Sequence, residues 1–140
     1  MQTLVTILTK TEGYFRKKGI TSPRLEAELI LSHILGLERL QLYLDHDRPM
    51  TNAELDAIRA LVSRRGQREP LSWILGERGF HNIMLATVPD VLDPRPDTET
   101  LVEAALEHIP DDGDLTYVAN IGCGTGAVGL AIAAARPNVR

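Results

Sequence analysis

An apolar run, Val118-Ala119-Asn120-Ile121, enters Gly122-Cys123-Gly124-Thr125-Gly126 and leaves it into a second apolar stretch beginning at Ala127. Three glycines in five residues, set between two apolar runs, leave the backbone few options. Glycine adopts positive φ without a Cβ penalty, so the chain can reverse there and bring its amides close to another molecule. The pattern predicts a strand over about 115–121, a tight turn, and a helix over about 126–135. The unpaired N–H groups that open a helix favour electron-rich atoms, which makes the turn a candidate site for a nucleotide-like ligand.

The first seventy-five residues carry a different signature. Leu4, Ile7, Leu8, Thr11, Tyr14, Phe15 and Lys18 recur at three-and-four spacing and predict a helix over about 3–18, stopped by Gly19. Ser22 before Pro23 reads as an N-cap with a first-turn proline; Leu25, Leu29, Ile30, Ile34 and Leu35 form the expected buried face, and Gly36 ends that helix. A short helix is expected over about 38–44. Thr51-Asn52-Ala53-Glu54 is a capping box opening a fourth helix, with Leu55, Ile58, Leu61 and Val62 inward. A fifth, of a turn or two, is expected over about 70–75. Short connections between them predict a small helical bundle.

From Gly76 the helical period is lost. Residues 80–88 read as a hairpin or extended linker, and Pro89, Pro94 and Pro96 exclude a helix through 89–97. A helix is expected to restart near Asp97 or Thr98, with Leu101, Val102, Ala105, Leu106 and Ile109 on one side, and to end at Pro110-Asp111-Asp112-Gly113. Three parts result: a helical domain over 1–75, a hairpin and proline-rich connector over 76–96, and the start of an α/β domain over 97–140.

Composition narrows the function classes. The chain of 140 residues is 44% apolar, with no apolar run of membrane-spanning length and no secretion signal at its start, so a cytoplasmic protein is expected. Its one cysteine, Cys123, excludes an internal disulfide and a thiolate metal site. A net charge of −4 argues against nucleic-acid binding, although Arg64, Arg65, Arg68 and Arg78 form a basic cluster, read as a solvated helix end or a docking surface. His33, His46, His81 and His108 have no metal-ligand spacing.

Taken alone, the glycine run is ambiguous. Gly122, Gly124 and Ala127 fit the dinucleotide pattern G-x-G-x-x-G/A; Gly122, Gly124 and Gly126 fit the G-x-G-x-G of S-adenosylmethionine methyltransferases. A dinucleotide fold commonly starts with such a strand, whereas here a helix and a proline-rich connector precede it, which favours the methyltransferase pattern.

Three motifs in order then sharpen the reading. Glu69-Pro70-Leu71-Ser72-Trp73-Ile74-Leu75-Gly76-Glu77-Arg78, Pro94-Arg95-Pro96-Asp97-Thr98-Glu99 and the glycine run together resemble the bacterial peptide chain release factor glutamine methyltransferases, the HemK family. The resemblance covers essentially the whole chain, including Leu35-Gly36 and Asp47-Arg48-Pro49. It implies an all-helical substrate-recognition domain, a connector, and the first strand, turn and helix of a Rossmann-like class I methyltransferase domain. It also implies methyl transfer from S-adenosyl-L-methionine to the glutamine of the Gly-Gly-Gln motif in class 1 release factors, by a monomer without DNA or membrane partners.

By the same resemblance Asn120, Gly122, Cys123, Gly124, Thr125 and Gly126 would lie against the cofactor, with Thr98 and Glu99 as possible pocket residues. No catalytic residue is assigned, because the family's Asn-Pro-Pro-Tyr motif and a ribose-binding acid are absent from residues 1–140. A truncated chain, inactive by itself, is therefore expected. Two alternatives stay open at this point: a non-catalytic helical module that binds release factors, and a fragment of a nicotinamide-dependent oxidoreductase. The sequence also departs from the family's usual residues at Asn120, where Asp is common, at Asp93, and at Gly79, His81 and Met84.

Overall fold

The computed structural model describes residues 2–140, which divide into two compact units, 2–75 and 76–140. Among the described residues the first unit contains five helices: α1 (Leu4–Lys17), α2 (Pro23–Leu35), α3 (Arg39–Leu44), α4 (Asn52–Gly66) and α5 (Leu71–Leu75). Their core joins Leu4, Ile7, Leu8 and Phe15 of α1 to Ala27, Ile30 and Leu31 of α2, Leu42 of α3, and Leu55 and Ile58 of α4.

Local signals set most of the helix ends. Gly19 and Gly36 take left-handed φ values of 67° and 63° where α1 and α2 stop. At the start of α4, Thr51 N–H donates to Glu54 Oε2 (2.8 Å) and Glu54 N–H donates to Thr51 Oγ1 (3.3 Å), the reciprocal capping pair. Ser22 does occupy the N-cap of α2, but its hydroxyl makes no capping bond; its carbonyl accepts from Glu26 N–H instead.

The buried face of α2 differs from the expected one. Leu25 is 41% exposed, whereas Glu28 is 1% exposed amid the core residues Ala27, Ile30 and Leu31. Arg24 Nε (2.8 Å) and Tyr43 Oη donate to Glu28 Oε1, while Arg39 Nε (3.0 Å) and Nη2 (2.7 Å) donate to Oε2. Arg24 also reaches Glu12 on α1 at 3.2 Å. The charge network thus turns α2 so that Glu28 faces α3, and Leu25 is left outside.

The second unit holds a two-stranded antiparallel hairpin, β1 (Glu77–Phe80) and β2 (Ile83–Ala86), in which Glu77 pairs with Ala86 and Phe80 with Ile83. The hairpin begins at Glu77, three residues before the expected start, because its pairing requires a first strand that the polar Glu77-Arg78-Gly79 does not announce. A 3-10 turn (Pro96–Thr98) leads into α6 (Glu99–His108), and α7 (Ala127–Ala135) follows the glycine turn. Phe80, Val102, Ile109, Ala127, Ala131, Ile132 and Val139 form the core.

Residues 115–121, expected as a strand, form only an isolated parallel bridge between Thr116 and Val139. A strand requires a neighbour along its length. Here the described ladder consists of Thr116 N–H to Asn138 O, Arg140 N–H to Thr116 O, and Val118 N–H to Arg140 O, each 2.9 Å. Beyond it Tyr117 and Ile121 are 79% and 93% exposed.

Burial by itself would raise the Glu28 carboxyl's pKa, but the donors from Tyr43, Arg39 and Arg24 outweigh it and hold the group below the ordinary value of 4.5. The backbone N–H of Thr51, with its hydroxyl and Arg48, depresses Glu54 likewise. An unfolded chain therefore takes up protons at these sites before the folded one does. Their stabilisation is complete above about pH 4.5 and is lost as pH falls through the lowered folded values. Melts of the chain between about pH 6 and pH 3 should show the helical unit weakening over that lower range, less steeply in Glu28→Gln. Glu28→Ala should cost roughly 2–3 kcal/mol in denaturant unfolding, since four donors lose their acceptor while both arginines can partly rehydrate.

Candidate functional site

The glycine turn lies between the extended 115–121 segment and α7. Gly122, Gly124 and Gly126 have φ of 70°, 53° and 79°, values that L side chains rarely adopt. Gly126 N–H donates to Cys123 O at 2.8 Å and closes the turn, and Gly126 O accepts from Leu130 N–H at 2.9 Å as the first bond of α7. A Cβ at Gly122 or Gly124 would project into open space, so these two positions demand glycine for backbone conformation rather than for room. The first N–H groups of α7 have no acceptor within their own helix, as at every helix start.

The candidate residues are not all brought together. Asn120, Gly122, Cys123, Gly124 and Thr125 are exposed and contiguous on the turn, and Gly126 is half-buried. The Asn120 side chain lies against α7, its Nδ2 3.2 Å from the point where a Cβ on Gly129 would stand. Thr125 shares a cleft of about 40 Å³ with Leu85, Ala86 and Thr87 of the hairpin and Val91, Leu92 and Pro94 of the connector. Thr98 and Glu99 are half-buried where the 3-10 turn meets α6, and neither lines that cleft.

The hairpin and connector residues of the cleft were not among the sequence candidates. A signal was present: Val91-Leu92 is an apolar pair just before Pro94 in an otherwise polar connector. Asp93, one of the departures noted above, pairs with Arg78 of β1 and so ties the connector to the hairpin beside the cleft. The remaining arginines of the basic cluster are also engaged. Arg64 binds Glu69, Arg65 binds Glu26, and Arg68 donates to the carbonyls of Lys18 (2.6 Å) and Gly19 (3.2 Å). Among the described residues no group of three or more His, Cys, Asp or Glu is placed to hold a metal ion, and no helix is long and apolar enough to cross a membrane.

In chain order the helical unit is thus followed by a hairpin, a proline-rich connector, an extended segment, the glycine turn and a last helix. Residues 6–76 match the family described as the PrmC N-terminal domain. Over nearly all of its length the chain is similar to proteins named release factor glutamine methyltransferase. That of Chlorobaculum tepidum is 41% identical over 98% of this chain and 48% of its own length, and that of Geobacter sulfurreducens 42% identical over 99% and 48%. A human protein named MTRF1L release factor glutamine methyltransferase is 34% identical over 100% of this chain and 44% of its own. The chain belongs to the release factor glutamine methyltransferase family and corresponds to its N-terminal portion. It spans under half the length of these curated relatives.

The left-handed turn supplies a stability test. Gly126→Ala should cost roughly 1–2 kcal/mol, because an L residue at φ 79° meets its own carbonyl. Gly129→Ala should leave that backbone unchanged and instead displace Asn120, seen as a shift of its side-chain amide resonances.

Proposed function

We propose that this chain supplies the substrate-recognition domain and the first part of the cofactor site of a protein-(glutamine-N5) methyltransferase. Its substrate would be the Gly-Gly-Gln glutamine of class 1 peptide chain release factors, its methyl donor S-adenosyl-L-methionine, and its compartment the cytoplasm, where such substrates work. One observation carries the reading: three left-handed glycines at alternate positions lead into α7, in a chain whose relatives are named for this activity.

The donor set suits such a cofactor as far as it extends. The turn offers the backbone N–H groups of residues 122–125 beside the open end of α7, Thr125 at the cleft, and no side chains at Gly122 and Gly124 to obstruct approach, while the Gly126 N–H is spent on closing the turn. Asn120, in this reading, braces the turn against α7, and Cys123 is a small loop residue. Thr98 and Glu99 are the polar groups that the connector could bring to the pocket.

Bound S-adenosyl-L-methionine supplies a methyl group activated by its sulfonium. The acceptor is harder, because a carboxamide nitrogen shares its lone pair with the carbonyl and must be held in line by oxygen acceptors on its hydrogens. Residues 1–140 contain no Asn-Pro-Pro-Tyr to provide them. We therefore assign these 140 residues recognition and partial cofactor contact, not the transfer step.

A second reading has an observation of its own in its favour. Residues 1–75 enclose a separate core, which suits a module that binds release factors without catalysis. Incubation of the 140-residue chain with a bacterial class 1 release factor and methyl-labelled cofactor should give no labelled release factor, while calorimetry should show saturable release-factor binding. Turnover would overturn the assignment of roles; absence of binding would overturn both readings. If residues 1–75 alone melt cooperatively and bind equally well, the module reading is favoured.

A further inference from the structure

We propose that the groove between α1 and α4 is a docking site for an amphipathic, acid-bearing helix of the substrate protein. The proposal rests on the reading that the helical unit receives that protein, and adds where and by what chemistry.

α1 and α4 each pack chiefly on α2 and much less on one another, which leaves a furrow between them. It measures about 250 Å³ and is lined by Ile7, Lys10, Thr11 and Tyr14 from α1 and by Leu55, Ile58, Arg59 and Val62 from α4. Both sets follow the same i, i+3, i+4, i+7 spacing, so each wall is one continuous ridge along a single helix face. Packing a third helix between them satisfies the ridge geometry by which helices associate and by which grooves of this type bind peptides.

The furrow is bounded by fixed contacts at both ends. Near the start of α1, Leu4 N–H donates to Arg48 O (2.9 Å) and Met50 N–H to Gln2 O (3.0 Å), which anchors the segment entering α4. Near the other end Gly66 permits the Tyr14 ring to lie against α4, where a Cβ would stand 2.3 Å from Tyr14 Oη. A site fixed at both ends loses little entropy when it is filled.

The charge of the rim selects the occupant. The floor is apolar, with Ile7, Leu55 and Ile58 buried, while exposed Lys10 and Arg59 stand on opposite walls. This runs against the chain's net charge of −4. Among the described residues Lys10 enters no ion pair, and Arg59 pairs only with Asp56, both largely exposed, at 2.8 Å. Such surface pairs are weak enough to exchange for a better-placed carboxylate. A helix with apolar residues on one face and carboxylates flanking them would meet both features, and opposite charge would raise its rate of encounter.

The test measures binding of a bacterial class 1 release factor to the 140-residue chain by calorimetry, with Lys10→Glu/Arg59→Glu and, as a control, Arg16→Glu on the opposite side of α1. The double variant should weaken Kd by tenfold or more at unchanged melting midpoint, with Arg16→Glu within about twofold of the parent. Equal binding by parent and double variant would overturn the groove as the docking site while leaving the recognition role intact. No binding by the parent would overturn both. Sedimentation that shows a dimer dispersed by Lys10→Glu/Arg59→Glu would identify the occupant as a second copy and also overturn the proposal.

Discussion

A carboxylate survives in an apolar interior only when donors replace the water it has lost, and Glu28 meets that condition with four hydrogen bonds from three side chains. Because those donors come from α2 itself and from α3, the carboxylate fixes the rotation of α2 and the seat of α3 together. Arg24 extends the network to Glu12 on α1. The orientation of α2 then decides where α1 and α4 lie, since both pack on it. The buried charge thus acts together with the apolar core in seating the helices that border the furrow.

The second unit is organised around backbone conformation instead. Three glycines in the left-handed region turn the chain into α7, and the run that follows α7 returns alongside Thr116 through three hydrogen bonds. Asn138 strengthens this return, its Nδ2 donating to Pro110 O and Asp114 O at 3.2 and 2.8 Å. The cleft at Thr125 depends in turn on the connector, which the Arg78–Asp93 pair ties to the hairpin. Asp93, which breaks the usual family pattern, thus has a structural partner in this chain. The structure offers no comparable explanation for Met84, which is largely exposed on β2.

The two units carry different kinds of candidate site. The glycine turn is exposed and built of main-chain amides, and on the proposed reading it receives a small charged ligand. The furrow of the helical unit is apolar with a cationic rim and suited to a protein surface. A transferase acting on another protein needs one site of each type, because a small donor and a large acceptor are recognised by different physics.

Much of the architecture was legible in the chain itself. Gly19 and Gly36 end helices, Thr51 and Glu54 begin one, and the spacing of Gly122, Gly124 and Gly126 specifies a turn, because each of these signals acts through backbone groups within a few residues. The candidate cofactor residues came from the resemblance of that run to a family motif, and their role stands as a proposal. Leu25 outside and Glu28 inside were not legible, since that choice rests on Arg39 and Tyr43, eleven and fifteen residues away. Nor was the single bridge formed by the expected strand, because β pairing depends on a distant neighbour, here Val139. The sequence alone determined where the backbone turns and which segments become helical. Tertiary structure decided which faces are buried, which strands pair and where a furrow opens, because those outcomes depend on residues far apart in the chain that only packing brings together.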